Sequence, residues 1–203
     1  MEIKPEMLEW RDAYKLLVGS ILPRPIAFVS SKDQDGNDNL APFSFFTAIC
    51  ADPMMICFAP MRKGTTGYKK DTLINIEATG QFVINIVSED IVRQMNDCAT
   101  ELPSEIDEFQ FSGLTKEASV TVQPARVKES KVHLECELDQ VLHFGDQAGA
   151  GSLVIGKVLH VHVHDDLYEQ GRINSEKLMP VGRLAGAMYS LPMEKTFVLE
   201  RKQ

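Results

Sequence analysis

Two long strand-like runs, 131–144 and 153–164, meet across the glycine-rich turn Gly145-Asp-Gln-Ala-Gly-Ala-Gly151. Strands joined by so short a link pair antiparallel, because a parallel return needs a crossover of about a dozen residues or more. The same logic applies upstream. Pro25-Ile-Ala-Phe-Val-Ser-Ser31, a turn at Asp33-Gln-Asp-Gly-Asn37, the run 40–50 and, after Asp52-Pro53, the run 54–58 make three neighbouring extended segments. With Phe82-Val-Ile-Asn-Ile-Val87 the count is roughly six strands. Strands adjacent in sequence and no alternating βα units predict a mainly β fold, an antiparallel closed or half-closed barrel with peripheral helices, over a doubly wound sheet.

The helices are short. Met7, Trp10, Tyr14, Leu17 and Val18 line one side of a helix over 7–18, with Gly19 and Pro23 to stop it. Asp71-Thr72 at one end and Gly80 at the other bracket a helix of about two turns. Ser88, two acids after it, and Ile91, Val92 and Met95 on one side predict a helix over 88–97. A small helix is expected over 175–179. No repeat or linker divides the chain, so residues 1–203 are read as a single domain, loop-rich over 100–124.

Acids outnumber bases, 29 against 21, for a formal charge of -8, which repels phosphodiester backbones and anionic lipid. Neither nucleic acid nor a membrane is an expected partner. No run of about 18 apolar residues occurs and the N-terminal residues lack signal-peptide character, so a cytoplasmic location is expected. Cys50, Cys57, Cys98 and Cys136 form no CxxC pair. Cys50, Cys57 and Cys136 lie in apolar runs, where a buried, inert thiol is expected. Neither GxGxxG after a strand nor GxxxxGK[ST] is present, so any nucleotide is held by another device.

Four stretches are chemically suggestive. Arg62-Lys-Gly-Thr-Thr-Gly-Tyr-Lys-Lys70 places four cations and two hydroxyls ahead of the helix at Asp71-Thr72, which suits a phosphate; a solvated basic loop explains it equally. In Leu22-Pro-Arg-Pro-Ile-Ala27 two prolines stiffen the chain around Arg24, either as a rigid strand entry or to display the arginine at a barrel rim. Strand alternation over 41–47 puts Ser44 and Phe46 on one face and Phe43, Phe45 and Thr47 on the other, which suits a planar ligand with a polar tail or an ordinary core. Arg183 and Tyr189 stand as polar and aromatic handles in Gly182-Arg-Leu-Ala-Gly-Ala-Met-Tyr189, itself explicable as a plain C-terminal wrap. His160-Val-His-Val-His164 reads as the polar outer face of a strand, its imidazoles spread about 6 to 7 Å apart, so no metal site is expected; a metal held with Asp165 and Asp166 is the alternative.

In order, Gly19-Ser-Ile-Leu-Pro-Arg-Pro-Ile-Ala-Phe-Val-Ser30, Asn39-Leu-Ala-Pro-Phe-Ser-Phe-Phe46, Lys70-Asp-Thr-Leu-Ile-Asn75, Thr79-Gly-Gln-Phe-Val-Ile-Asn85 and Pro180-Val-Gly-Arg-Leu184 resemble the flavin reductase-like FMN-binding split-barrel family, including its flavoredoxin-like members. That resemblance implies a six-stranded antiparallel Greek-key split β-barrel, usually a homodimer holding one FMN per subunit near the interface. It places Arg24 in the cofactor-binding segment, Pro25, Ile26 and Ala27 along the isoalloxazine, and Ser44, Phe45 and Phe46 beside the ring or ribityl chain. Lys70, Asp71 and Thr72 fall at the phosphate, Arg62 as a second phosphate cation, and Arg183 and Tyr189 closing over the site. Thr65-Thr-Gly-Tyr-Lys69 stands where the commoner form carries a proline-containing segment, so Lys69 and Lys70 are alternative phosphate contacts. The implied activity is NAD(P)H-dependent flavin reduction by hydride transfer to N5, which needs no catalytic side chain because the flavin carries the chemistry. The alternatives are an FMN electron carrier fed by a protein partner and a barrel for a non-flavin ligand. An electron-transfer protein or a monooxygenase is the implied macromolecular partner.

Overall fold

A computed structural model describes residues 1–200; positions 201–203 of the expected 1–203 unit lie outside the described residues. The elements run α1 (Trp10–Ser20), β1 (Ala27–Lys32), β2 (Asp38–Phe43), β3 (Phe46–Ala51), β4 (Met54–Phe58), α2 (Asp71–Thr79), β5 (Gln81–Ile86), α3 (Val92–Asp97), α4 (Glu108–Ser112), β6 (Lys116–Glu117) and β7 (Arg126–Val127). They continue with β8 (Val132–His143), β9 (Ser152–Val163), β10 (Tyr168–Glu169), β11 (Arg172–Ile173), α5 (Ser175–Leu178), β12 (Gly182–Arg183) and β13 (Tyr189–Ser190). Among the described residues no helix is long and apolar enough to cross a membrane.

Seven strands form one antiparallel sheet in the order β2-β1-β5-β8-β9-β4-β3. Its two edges, β2 and β3, are consecutive in the chain and joined only by Ser44 and Phe45. Seven strands at about 4.8 Å spacing would set the edges of a flat sheet about 29 Å apart, whereas three Cα steps reach about 10 Å. The sheet therefore curls until its edges approach, and the pair that stays unbonded leaves a barrel split along one seam. The count is seven because the expected single run 40–50 breaks at Ser44-Phe45, so β2 and β3 point to opposite edges. That break also ends the expected alternation of faces over 41–47.

The barrel core holds Ala27, Val29, Phe43, Phe58, Phe82, Ile84, Cys136 and Val154, and α2 drives Leu73 and Ile76 into it. A second core lies outside β1, where Ile26, Phe28 and Leu40 pack with Met95 of α3 and Phe109 of α4. Both faces of β1 are thus covered, which is why this strand reads as an apolar run instead of an alternation. Gly80 ends α2 in the left-handed region at φ 72°, with its N–H on the Ile76 carbonyl.

Several local expectations shift. The first helix begins at Trp10 and runs through Gly19, ending only as Ile21 turns extended ahead of Pro23. The predicted 88–97 helix is a 3₁₀ turn at Glu89–Ile91 followed by α3, and the Ser88 side chain does not cap it. Cys50 is exposed, because β3 is an edge strand without neighbours on its outer side; Cys57, Cys98 and Cys136 are buried, and all four thiols are free.

Candidate functional site

A cleft of about 270 Å³ opens where α1, β2, the start of α2, the 96–102 segment and the β12–β13 arm come together. One end of it is set by α2. Lys70 holds the position before the helix with extended ψ of 150° and no side chain caps the first turn. Leu73 and Ile76 in the core fix the direction of the helix; Leu73 N–H already donates to the Lys70 carbonyl at 3.0 Å, while the N–H groups of the cleft-lining Asp71 and Thr72 have no partner among the described residues.

The cations of the 62–70 loop separate into distinct tasks. Arg62 donates to the carbonyls of Gly67 and Gly145 and staples its loop to the β8–β9 turn, away from the cleft. Lys69 pairs with Glu77 on the outer side of α2. Lys63, which the sequence did not single out, lines the cleft and meets Asp71 at 3.3 Å. Lys70 lines the cleft and, like Arg62, makes no ion pair; unlike Arg62 its side chain has no hydrogen-bond partner among the described residues either.

Thr72 donates its hydroxyl to Asn39 Oδ1 at 2.6 Å, and Asn39 Nδ2 donates to Glu108 at 2.9 Å. The Leu40 N–H reaches the second Glu108 oxygen at 3.1 Å. Burial pushes the Glu108 carboxyl above the usual carboxylate range, against the pull of these donors. Cys98, also on the wall, donates weakly to the Glu108 carbonyl, and burial pushes its thiol up to about 11, leaving it protonated and unreactive.

At the other end, Arg183 and Tyr189 face each other across the β12–β13 pair. The Arg183 guanidinium stacks on the Tyr189 ring at 4.4 Å, and Tyr189 donates to Asn96 Oδ1 at 2.9 Å, tying the arm to α3. One guanidinium nitrogen donates to the Gly186 carbonyl; the other, Nη1, is buried with no partner among the described residues.

Seven of the residues singled out in the sequence therefore share this cleft: Ile26, Ser44, Lys70, Asp71, Thr72, Arg183 and Tyr189. The others do not line it. Arg24, expected at a barrel rim, is buried at 4 % exposure, because the carbonyls at the end of α1 satisfy its charge. Ala27 belongs to the barrel core and Phe46 packs against it, while Pro25 and Phe45 do not line the cleft, Phe45 lying against Tyr14 with ring centres 6.2 Å apart.

Sequence reasoning missed Tyr14 as a cleft residue, as it did Asn39, Lys63, Glu108 and the 96–102 segment. Asn39 and Lys63 sit inside stretches already singled out, and Tyr14 is one helical turn past Trp10. Glu108 belongs to a five-residue helix that carries no local signal. The histidines lie on the outer face of β9: His162 donates to Glu135 at 2.6 Å, and among the described residues no group of three or more His, Cys, Asp or Glu side chains could hold a metal.

The chain matches the family described as Flavin reductase like domain over residues 18–180. A protein from Halalkalibacterium halodurans is 40 % identical over 203 residues, covering 99 % of this chain and 96 % of its own. The solved structure of nitrilotriacetate monooxygenase component B from Bacillus cereus is 38 % identical, with a TM-score of 0.92 over 98 % of each chain. That of a 2-nitrobenzoate 2-nitroreductase from Pseudomonas fluorescens is 28 % identical, with a TM-score of 0.87 over 99 % of this chain and 96 % of the other. With the matched region spanning all seven strands of the sheet and the α2 end of the cleft, the chain belongs to the flavin reductase-like domain family.

Proposed function

We propose that this protein is an FMN-binding oxidoreductase, reduced by NAD(P)H, working as one domain. The observation that carries the reading is the uncapped start of α2, with unpaired Lys70 beside it, on the same cleft as the orphaned Arg183 Nη1. A buried guanidinium N–H without an acceptor costs free energy that a ligand acceptor recovers, so the donor set fits a molecule with a dianionic tail and carbonyl-bearing head. FMN bound there supplies the hydride acceptor, its N5, for NAD(P)H. The chain's own part is to bind and orient. Lys70 and the Asp71 and Thr72 amides at the start of α2 hold the phosphate, while the Thr72 hydroxyl stays on Asn39 and Lys63 restrains the Asp71 carboxylate. Ile26 and Tyr14 offer apolar surface to the ring, Ser44 a hydroxyl, and Arg183 and Tyr189 cover the far end. No side chain in the cleft has to accept or deliver a proton for hydride transfer, which agrees with an inert Cys98.

The cleft of one chain is slightly smaller than the range of about 300–1,000 Å³ typical of small-molecule sites. The half-exposed apolar residues Leu16 and Leu17 on α1 and Ile49 on β3 would be covered by a second copy, which supports a homodimer. The name of the Bacillus cereus neighbour, a component of a monooxygenase, supports delivery of the electrons to a separate component.

Purified protein titrated with FMN should bind it stoichiometrically, and adding NADH or NADPH without air should bleach the bound flavin. Binding without bleaching would favour a carrier fed by a protein partner. Failure to take up FMN would overturn both readings and leave a barrel for another ligand.

A further inference from the structure

The function just proposed does not use the most highly bonded side chain near the cleft. Arg24 Nη1 donates to the carbonyls of Val18 and Ile21, each at 2.8 Å, so the cation sits on the C-terminal end of α1, where helix carbonyls lack partners. Nη2 donates to the Leu184 carbonyl at 3.0 Å, and the backbone of Arg24 exchanges hydrogen bonds with Arg183 at 3.0 and 2.8 Å. Nε donates to Ser44 Oγ at 3.3 Å, in the two-residue link across the barrel seam. Three walls of the cleft therefore converge on one planar fork: the helix bearing Tyr14, the seam bearing Ser44 and the arm bearing Arg183 and Tyr189. A lysine ammonium is a point charge and cannot reach all three.

The Ser44 contact has a chemical consequence. A hydroxyl has a single proton, and one that accepts from a guanidinium has to donate elsewhere. Ser44 lines the cleft and donates to no acceptor among the described residues, so its proton is left for a ligand.

We infer that Arg24 is a positioning residue, which fixes Ser44 as a hydrogen-bond donor into the cleft and locks the β12–β13 arm to the end of α1. The Ser44 half rests on the flavin reading; the arm half stands without it.

The test has two arms. In ligand-free protein, amide hydrogen exchange across 182–190 should accelerate about tenfold or more in Arg24→Lys, while the amides of α2 and of Ser44→Ala protein keep wild-type protection. In FMN titrations, Ser44→Ala and Arg24→Lys should each weaken binding about tenfold, the worth of one hydrogen bond, and shift the bound-flavin absorption alike. The double variant should then lose little beyond Arg24→Lys alone, because the two act in series. Wild-type exchange over 182–190 in Arg24→Lys would overturn the inference, as would losses that multiply in the double variant. Should Arg24→Lys not fold, Ser44→Ala with wild-type affinity and spectrum would overturn it. Wild-type protein that takes up no FMN would sink the flavin reading, and the exchange arm alone would then decide the role of Arg24.

Discussion

The Thr72 hydroxyl lies 2.6 Å from Asn39 Oδ1, joining the first turn of α2 to β2 at the mouth of the cleft. Asn39 also donates to the buried Glu108 carboxylate, so one amide satisfies two groups from segments far apart in sequence. Asn39→Ala should leave Glu108 short of a donor and Thr72 free to turn. The expected cost is about 1–3 kcal/mol of stability, from an unsatisfied buried carboxylate, together with weaker FMN binding. Urea unfolding and a flavin titration check the two effects separately, and wild-type values in both would show that the network is idle.

Lys70→Ala should weaken FMN binding by about 1.5–3 kcal/mol, the worth of a charged hydrogen bond, with the fold intact. Lys69→Ala should leave affinity nearly unchanged, since Lys69 is committed to Glu77 on the outer side of α2. Titration of both variants distinguishes them; equal losses would mean that the phosphate is held by charge density in the loop instead of by a particular ammonium.

Elements set by near neighbours in the chain were legible in the sequence. The β8–β9 hairpin and α2 appear within a residue or so of their expected bounds, because alternation, a glycine turn and a left-handed glycine end are local signals. The seam at Ser44-Phe45 was not legible, since it follows from closing the barrel around other strands. Nor was the burial of Arg24: a proline-flanked arginine looks displayed until the end of α1 folds over it and supplies the carbonyls. By spacing Lys70 was one of four cations and by the family resemblance an alternative to Lys69; the pairing of Lys69 with Glu77 and of Lys63 with Asp71 sets it apart.

Acid should lower the stability of the protein over two pH windows, each set by a side chain on the outer face of β8. His133 is buried and donates to Asn85 Oδ1 at 2.8 Å, and burial, with Arg126 and His162 nearby, holds its pKa down at about 4. Between pH about 6.5 and 4 the unfolded chain takes up a proton there that the folded chain does not, so stability falls as pH drops, by up to about 3 kcal/mol. Burial alone would raise the Glu135 pKa, but the Thr121 hydroxyl, the Val120 and Thr121 amides and His162 outweigh it and hold it at about 2. Its contribution is present above about 4.5 and is lost as pH falls toward 2. Urea midpoints measured from pH 7 to 3 should decline throughout, and His133→Gln should flatten the upper window only.

Gly156 of β9 faces the barrel interior, where a Cβ would strike the edge of the Phe82 ring. Phe82 cannot easily yield, being fully buried and held edge-on against Phe58 with ring centres 5.6 Å apart. Gly156→Ala should therefore destabilise by about 1–3 kcal/mol through overpacking, even though alanine suits a strand better than glycine does. In a Phe82→Leu background the same substitution should cost much less, because the smaller side chain leaves room for the methyl group. The two positions lie in the core, outside the cleft lining, so FMN affinity should stay at its wild-type value in all three variants. A penalty for Gly156→Ala that persists in Phe82→Leu would overturn the overpacking account, because the other neighbour of the added carbon, the Glu137 carbonyl at 3.5 Å, stands at ordinary contact distance.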